Sequence, residues 1–190
     1  MGVDFAAILP HRVTHSDLSD LPERLNGRRE LRSVLRKLGC RFFDRWTWSW
    51  EIKRFGPSDM EKRWDEGDCF PLSGPLTSVY LGRHCCEVVC WGHRWWAFLT
   101  DVSIRQGLRT VCRELATTFD PGSAAAIYVP DSAYDESLAL DKTTLRFDEI
   151  CDWMCQRFGP PANRIEDIYH EQGDSITSAG YFVDRFDSPT

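Results

Sequence analysis

Apolar residues recur at helical spacing in three parts of the chain. In the first part they stand at i, i+3, i+4 and i+7 before Gly39, a residue type that commonly ends helices. The second stripe can be capped by Asp101 or Ser103, and the third stops at Gly159, which two prolines follow. The sequence therefore predicts three amphipathic helices, over residues 31–38, 104–119 and 147–158.

Alternating and continuous apolar runs predict strands around these helices. From Trp46 to Lys53 large apolar and polar residues alternate, as on a strand with one buried face. The run from Trp95 to Leu99 is apolar throughout, which predicts a strand covered on both faces, and Gly92 is expected to join it to the preceding strand in a hairpin. The predicted strands cover residues 4–9, 46–53, 76–81, 85–91, 94–99, 124–129 and 181–186.

This order of elements predicts an α+β fold. We expect a two-layer sandwich, in which about three helices pack on a mixed, largely antiparallel sheet. The succession of strand, helix, hairpin, helix and strand is compatible with a ferredoxin-like core. A chain of 190 residues fits a single domain over 1–190. Residues 56–75, rich in glycine, proline and charge, are expected to form a long surface loop.

The chain contains eight tryptophans, an unusually large number for its length. On the predicted strand Trp46, Trp48 and Trp50 share one face and form a ladder beside a predicted helix with a basic face. The ladder is either core or a recognition surface, since rigid aromatic residues are enriched at interface hot spots. If it is a surface, the neighbouring cations belong to the same binding site. The candidate binding residues are Trp46, Trp48, Trp50, Arg45, Lys53 and Arg54.

Charge is distributed unevenly along the chain. The net charge is −6, yet residues 24–63 carry 12 basic and 5 acidic side chains. Stacking of single-stranded nucleic acid on the ladder, with Arg41, Arg45, Lys53 and Arg54 on the phosphates, is one alternative. The negative net charge opposes it, because phosphate neutralisation supplies much of nucleic-acid affinity. A protein partner is therefore favoured over nucleic acid.

The eight cysteines are read as reduced core thiols, because nothing indicates secretion. The densest metal-like group is His84, Cys85, Cys86, Cys90 and His93, of which His84, Cys86 and Cys90 share one face of the predicted strand. Successive same-face residues of a strand lie roughly 7 Å apart, so these side chains do not meet one ion without a bend. Phosphate-binding glycine motifs are also absent from the sequence. We therefore predict neither a metal site nor a cofactor.

Catalysis has only weak support. The nucleophile motif Gly-x-Ser-x-Gly is absent, and the histidines fall in no familiar context. An acidic stretch after a predicted strand supplies Asp131 and Asp135, and His170 or His11 is the available base. A hydrolase that uses Asp131, Asp135 and His170 is therefore the enzymatic alternative.

These observations favour a binding protein. No apolar run is long enough to span a membrane, and the N-terminus lacks the features of a secretory signal, so we expect a soluble, cytoplasmic protein. Small size, acidity, abundant aromatic residues and the lack of catalytic motifs favour a non-enzymatic module that inhibits a protein partner. Bacterial immunity proteins and antitoxins act in this way.

Overall fold

The computed structural model describes residues 4–39, 48–52, 57–92, 94–122, 125–130, 144–172 and 180–186. Its strands form one sheet in the order β2-β3-β4-β5-β1-β6-β7, and every neighbouring pair is antiparallel. The strands are β1 (Phe5–Pro10), β2 (Glu51–Ile52), β3 (Phe70–Gly74), β4 (Thr77–Leu81), β5 (Cys85–Cys90), β6 (Ala125–Pro130) and β7 (Phe182–Arg185).

Seven α-helices accompany the sheet within the described ranges. They are α1 (Leu21–Gly27), α2 (Arg29–Gly39), α3 (Pro57–Asp65), α4 (Arg94–Thr100), α5 (Val102–Phe119), α6 (Phe147–Phe158) and α7 (Ile165–Gln172). The long helix α5 begins at Asp101, whose carboxylate accepts hydrogen bonds from the backbone N–H groups of Ser103 and Ile104. Such a cap satisfies donors that have no partner inside the helix.

The two faces of the sheet carry separate apolar cores. Alternation along β1 sends Phe5, Ala7 and Leu9 into the larger core, which also takes side chains from all the helices except α6. Ala6 and Ile8 point into the smaller core, which α6 covers on the opposite face. Both faces of β1 are therefore buried, and its position inside the sheet explains why its sequence is apolar without alternation.

The α+β class is confirmed, but the predicted number of helices and the two-layer arrangement do not hold. Because α6 packs on the second face, that part of the sheet lies between two helical layers. At the centre of the sheet β5 lies between β1 and β4, while β1 lies between β5 and β6. The chain passes from β1 to β4 through α1, α2, β2, α3 and β3, and from β5 to β6 through α4 and α5.

The predicted hairpin across Gly92 is wrong, because residues 94–100 form helix α4. Trp95, Phe98 and Leu99 are buried, at the i, i+3 and i+4 spacing of one helical face. Trp96, between them, is exposed. The apolar run has the length of a strand, and only the burial of one helical face identifies it as a helix.

The predicted loop over residues 56–75 is also wrong in most of its length. Residues 57–65 form α3, whose Trp64 is buried against the ring of Phe70 at a centroid distance of 5.8 Å. Residues 70–74 form β3, in which Phe70 and Leu72 point into the larger core. The glycines, prolines and charges of this segment are typical of a loop. Its two buried aromatic residues nevertheless order it.

The strand predicted over residues 46–53 is described only from 48 to 52, and there it is limited to Glu51–Ile52. This short strand pairs with β3 through Glu51 opposite Ser73. In the part of the chain that the structure describes, no helix combines the length and hydropathy needed to cross a membrane.

The packing of Trp50 on Gly74 gives a test of this edge of the sheet. A Cβ atom at Gly74 would lie 2.4 Å from Cε3 of Trp50, far inside van der Waals contact. We expect Gly74→Ala to lower the free energy of unfolding by about 1–3 kcal/mol, measured by urea denaturation. Gly27→Ala is the matched control, since a Cβ there meets nothing within 4 Å. Equal stability of the two variants would contradict this packing.

Candidate binding surface

Two of the three rings of the predicted tryptophan ladder are described, and both contact the larger core. Trp50 is buried, and its backbone N–H donates to Oδ1 of Asn26 at 3.0 Å. Trp48 is half-buried, and the guanidinium carbon of Arg36 lies 5.3 Å from its ring centroid, in cation-π contact. Trp50 is thus a core residue, which is one of the two alternatives that the sequence left open for the ladder. The other predicted binding residues, Trp46, Arg45, Lys53 and Arg54, lie outside the described residues.

The predicted catalytic groups are not brought together by anything the structure describes. Asp131 and Asp135 lie outside the described residues, and for His170 the structure gives only a backbone position in α7. The hydrolase alternative therefore stays a prediction.

The thiols of the metal-like group lie inside the sheet. Cys86 and Cys90 are buried in β5, and burial raises the pKa of the Cys90 thiol to about 12. His84 is exposed at the start of this segment, and His93 lies outside the described residues. Among the described side chains, no three His, Cys, Asp or Glu residues are grouped closely enough to hold a metal ion. Cys86 and Cys90 pack as small apolar residues.

His11 follows β1 and is buried beside Trp64, with the two ring centroids 6.4 Å apart. Its Nδ1 accepts a hydrogen bond from the backbone N–H of Val13 at 3.1 Å. Burial lowers the pKa of His11 to about 4, and the carbonyls of Cys85 and Gly82 offset only part of this effect. His11 is therefore neutral near pH 7 and is a weak base.

Exposed apolar side chains occur at a different place from the predicted ladder. Trp91 is 46% exposed, Trp96 57% and Val102 59%, and these are the large exposed apolar residues of the described chain. Trp91 directly follows β5, Trp96 lies on α4 and Val102 is the first residue of α5. We call these three residues the indole surface. The sequence places them within one short segment, but the strand interpretation of residues 94–99 concealed which rings face outward.

Helix α4 holds Trp96 in its outward orientation because its other face is packed. The ring of Phe98 lies 4.8 Å from Phe5 and 5.0 Å from Tyr128, measured between centroids. Trp95 stacks on Phe98 at 5.6 Å, with 20° between the ring planes. Nε1 of Trp91 donates to Oγ of Ser78 at 3.3 Å. The indoles are therefore presented by ordered elements.

A cleft of about 410 Å³ adjoins this surface. Helix α5 forms one wall, residues 163–166 at the start of α7 form the other, and Phe182 of β7 also lines it. Three arginines line the cleft, and we call it the arginine cleft. They are Arg105, Arg109 and Arg164.

A buried cluster fixes Arg109 in this cleft. Its Nε and Nη2 donate to the two carboxylate oxygens of Asp184 at 2.6 and 2.9 Å. The hydroxyl of Tyr128 donates to Oδ2 of the same carboxylate at 2.7 Å. Burial raises the pKa of Tyr128 well above its ordinary value, so the hydroxyl stays protonated and remains a donor. The buried carboxylate is thus paired and hydrogen-bonded, as a buried charge requires.

Arg105 and Arg164 share the carboxylate of Glu166. Arg105 donates through Nη1 to this carboxylate, and through Nε and Nη2 to the carbonyl oxygens of Phe98 and Leu99 at the end of α4. Nε of Arg164 lies 3.7 Å from Oε2 of Glu166. The backbone N–H of Glu166, at the start of α7, lowers the pKa of its own side chain, and Arg105 adds to the effect.

Sequence reasoning did not find the arginine cleft. Arg105 and Arg109 stand four residues apart on a predicted helix, which places them on one face. Their acidic partners, Glu166 and Asp184, come 61 and 75 residues later in the chain, so no local pattern connects them. Comparison of the chain with protein-family models, curated proteins and solved structures gives no match.

Tryptophan fluorescence tests the exposure of the indole surface. We expect the double variant Trp91→Phe/Trp96→Phe to lose much of the emission that acrylamide quenches in the parent chain, because both rings contact solvent. Trp95→Phe is the control, since Trp95 is buried and its removal should leave the quenchable emission unchanged. Unchanged quenching in the double variant would show that these rings are covered.

The burial of His11 predicts a loss of stability in acid. The unfolded chain takes up a proton near pH 6.5, whereas folded His11 does so only near pH 4, so stability falls as the pH drops between these values. We expect this residue to account for a loss of roughly 3 kcal/mol over that range. Urea titrations of His11→Asn should show a shallower dependence on pH. An unchanged slope in His11→Asn would contradict the assignment.

Proposed function

We propose that this chain is a non-enzymatic protein-binding module that inhibits its partner by covering it, in the manner of an immunity protein or antitoxin. The observation that carries the proposal is the exposure of Trp91 and Trp96 on ordered elements, with Val102 beside α4. Leaving large apolar rings in water has no benefit for folding, whereas such rings are typical of partner surfaces.

The composition of this region fits a protein interface. Tryptophan and arginine are the residue types most enriched at hot spots, and both occur here, since the arginine cleft shares Val102 with the indole surface. The packed face of α4 restrains Trp96 before binding, so little conformational entropy is lost when a partner covers it. The proposed binding residues differ from those of the predicted ladder. The class of partner, a protein, is the same as the sequence predicted.

The fold proposed to support this surface is a ferredoxin-like core with additions at both edges. The support is the order β4-β5-β1-β6, which is antiparallel throughout. Helices α4 and α5 connect β5 to β6, and the connection from β1 to β4 contains α1, α2 and α3 together with β2 and β3. In this description β2 and β3 extend one edge and β7 extends the other.

Site-specific photo-crosslinking in cells that naturally produce the chain tests this function. A benzophenone amino acid replacing Trp96 should give one predominant covalent adduct with a partner protein. The same amino acid replacing Glu23, which is exposed on α1, is the matched control and should not give that adduct. With the partner identified, Trp96→Ser should weaken its binding by about 2 kcal/mol or more. Identical adducts from both positions, or none from position 96, would refute the proposal.

A further inference from the structure

The arginine cleft and the indole surface meet at Val102. Val102 is 59% exposed on the indole surface and also lines the cleft. The two features also share their support, because Arg105 is bonded to the last carbonyls of α4, the helix that carries Trp96. Helix α4 and the start of α5 therefore contribute to both features.

Internal hydrogen bonds hold Arg105 and Arg109 in the cleft before any ligand binds, and Arg164 lies at the exposed rim. Arg109 uses Nε and Nη2 on Asp184, and its Nη1 takes no part in that pair. Arg164 is the most exposed cation of the cleft, with 72% of its side chain in solvent, and its contact with Glu166 is a long one of 3.7 Å. Arginines held in a rigid geometry are well suited to bind a carboxylate, because their N–H groups form a planar fork.

Glu166 is the internal counterion of two of the arginines. Its side chain lies between Arg105 and Arg164 and is itself 43% exposed. Three arginines line the cleft, and Glu166 together with Asp184 behind Arg109 supplies two negative charges. Among these five groups the arginines exceed the carboxylates by one.

We propose that the arginine cleft binds an acidic side chain of the protein partner, which enters beside an apolar residue seated on the indole surface. This inference rests on the proposed function and adds the chemistry of the partner: an acidic segment that also carries an aromatic or aliphatic residue. Val102 and Phe182 supply apolar walls for the stem of the acidic side chain. Its carboxylate neutralises the remaining charge of the cleft.

The charge of the cleft distinguishes this partner from others. A basic segment is repelled by Arg105, Arg109 and Arg164, whose charges would have no new counterion. A nucleic acid brings one charge per phosphate, which one excess positive charge does not match, and the chain as a whole carries −6. A single carboxylate balances the site, and complementary charges of this kind give specificity in protein interfaces.

Selection from a phage library of random 12-residue peptides tests this inference on the intact chain. We expect the enriched peptides to combine Asp or Glu with an aromatic or aliphatic neighbour. Arg164→Glu should weaken binding of a synthetic consensus peptide by about tenfold or more, since the mostly exposed Arg164 can be reversed without loss of the fold. Lys37→Glu, which makes the same charge change on an exposed part of α2, should not.

A double-mutant cycle assigns the effect to the cleft. Replacing the acidic residue of the peptide by its amide should weaken binding to the parent chain and have little further effect on the Arg164→Glu variant. Gln106, exposed at the cleft wall, gives a second pair: Gln106→Lys should tighten binding and Gln106→Glu should weaken it. Circular dichroism of each variant checks that the fold is retained.

The outcomes separate this inference from the function on which it rests. Enriched peptides without acidic residues, or binding that survives Arg164→Glu and is lost in Trp96→Ser, would overturn the cleft inference and leave the indole surface as the binding site. Failure to enrich any peptide would also overturn it, while the crosslinking at position 96 decides the function separately. Binding of 3-phenylpropanoate, but not of the peptides, would show a site for small organic acids and would likewise overturn the inference.

Discussion

The aromatic contact between helix α4 and the sheet is the interaction on which the rest of the candidate site depends. Phe98 inserts between Phe5 of β1 and Tyr128 of β6, with centroid distances of 4.8 and 5.0 Å. A helix of seven residues has little stability of its own, so α4 exists because this face is packed. The same packing faces Trp96 outward and places the carbonyls of Phe98 and Leu99 where Arg105 reaches them.

Tyr128 connects that aromatic contact to the arginine cleft. Its ring packs against Phe98 and Phe5, while its hydroxyl donates to Asp184, the carboxylate that holds Arg109. A single buried side chain therefore supports the apolar and the cationic parts of one surface. Changes in this core are expected to disturb both parts together, whereas changes on the exposed rims act on one at a time.

The sequence predicted the strands whose faces are both apolar and the helices with long stripes, because these patterns are local. It failed at residues 94–99 because Trp95, Trp96, Phe98 and Leu99 are all apolar, so periodicity does not show that Trp96 alone of them faces solvent. Likewise, the alternation of Trp48 and Trp50 left open whether they are core or surface, and only tertiary packing on Gly74 determines that Trp50 is core. The arginine cleft joins residues far apart in sequence, which no local pattern contains.

The buried hydroxyl of Tyr128 has a consequence for how the cleft responds to acidity. Burial keeps this phenol in its donor form, arginine stays cationic, and the backbone at the start of α7 keeps Glu166 ionised to a lower pH than usual. From about pH 5 to about pH 9, these groups undergo no titration. The charges that the cleft presents therefore do not change across that interval, and the cleft does not act as a proton sensor.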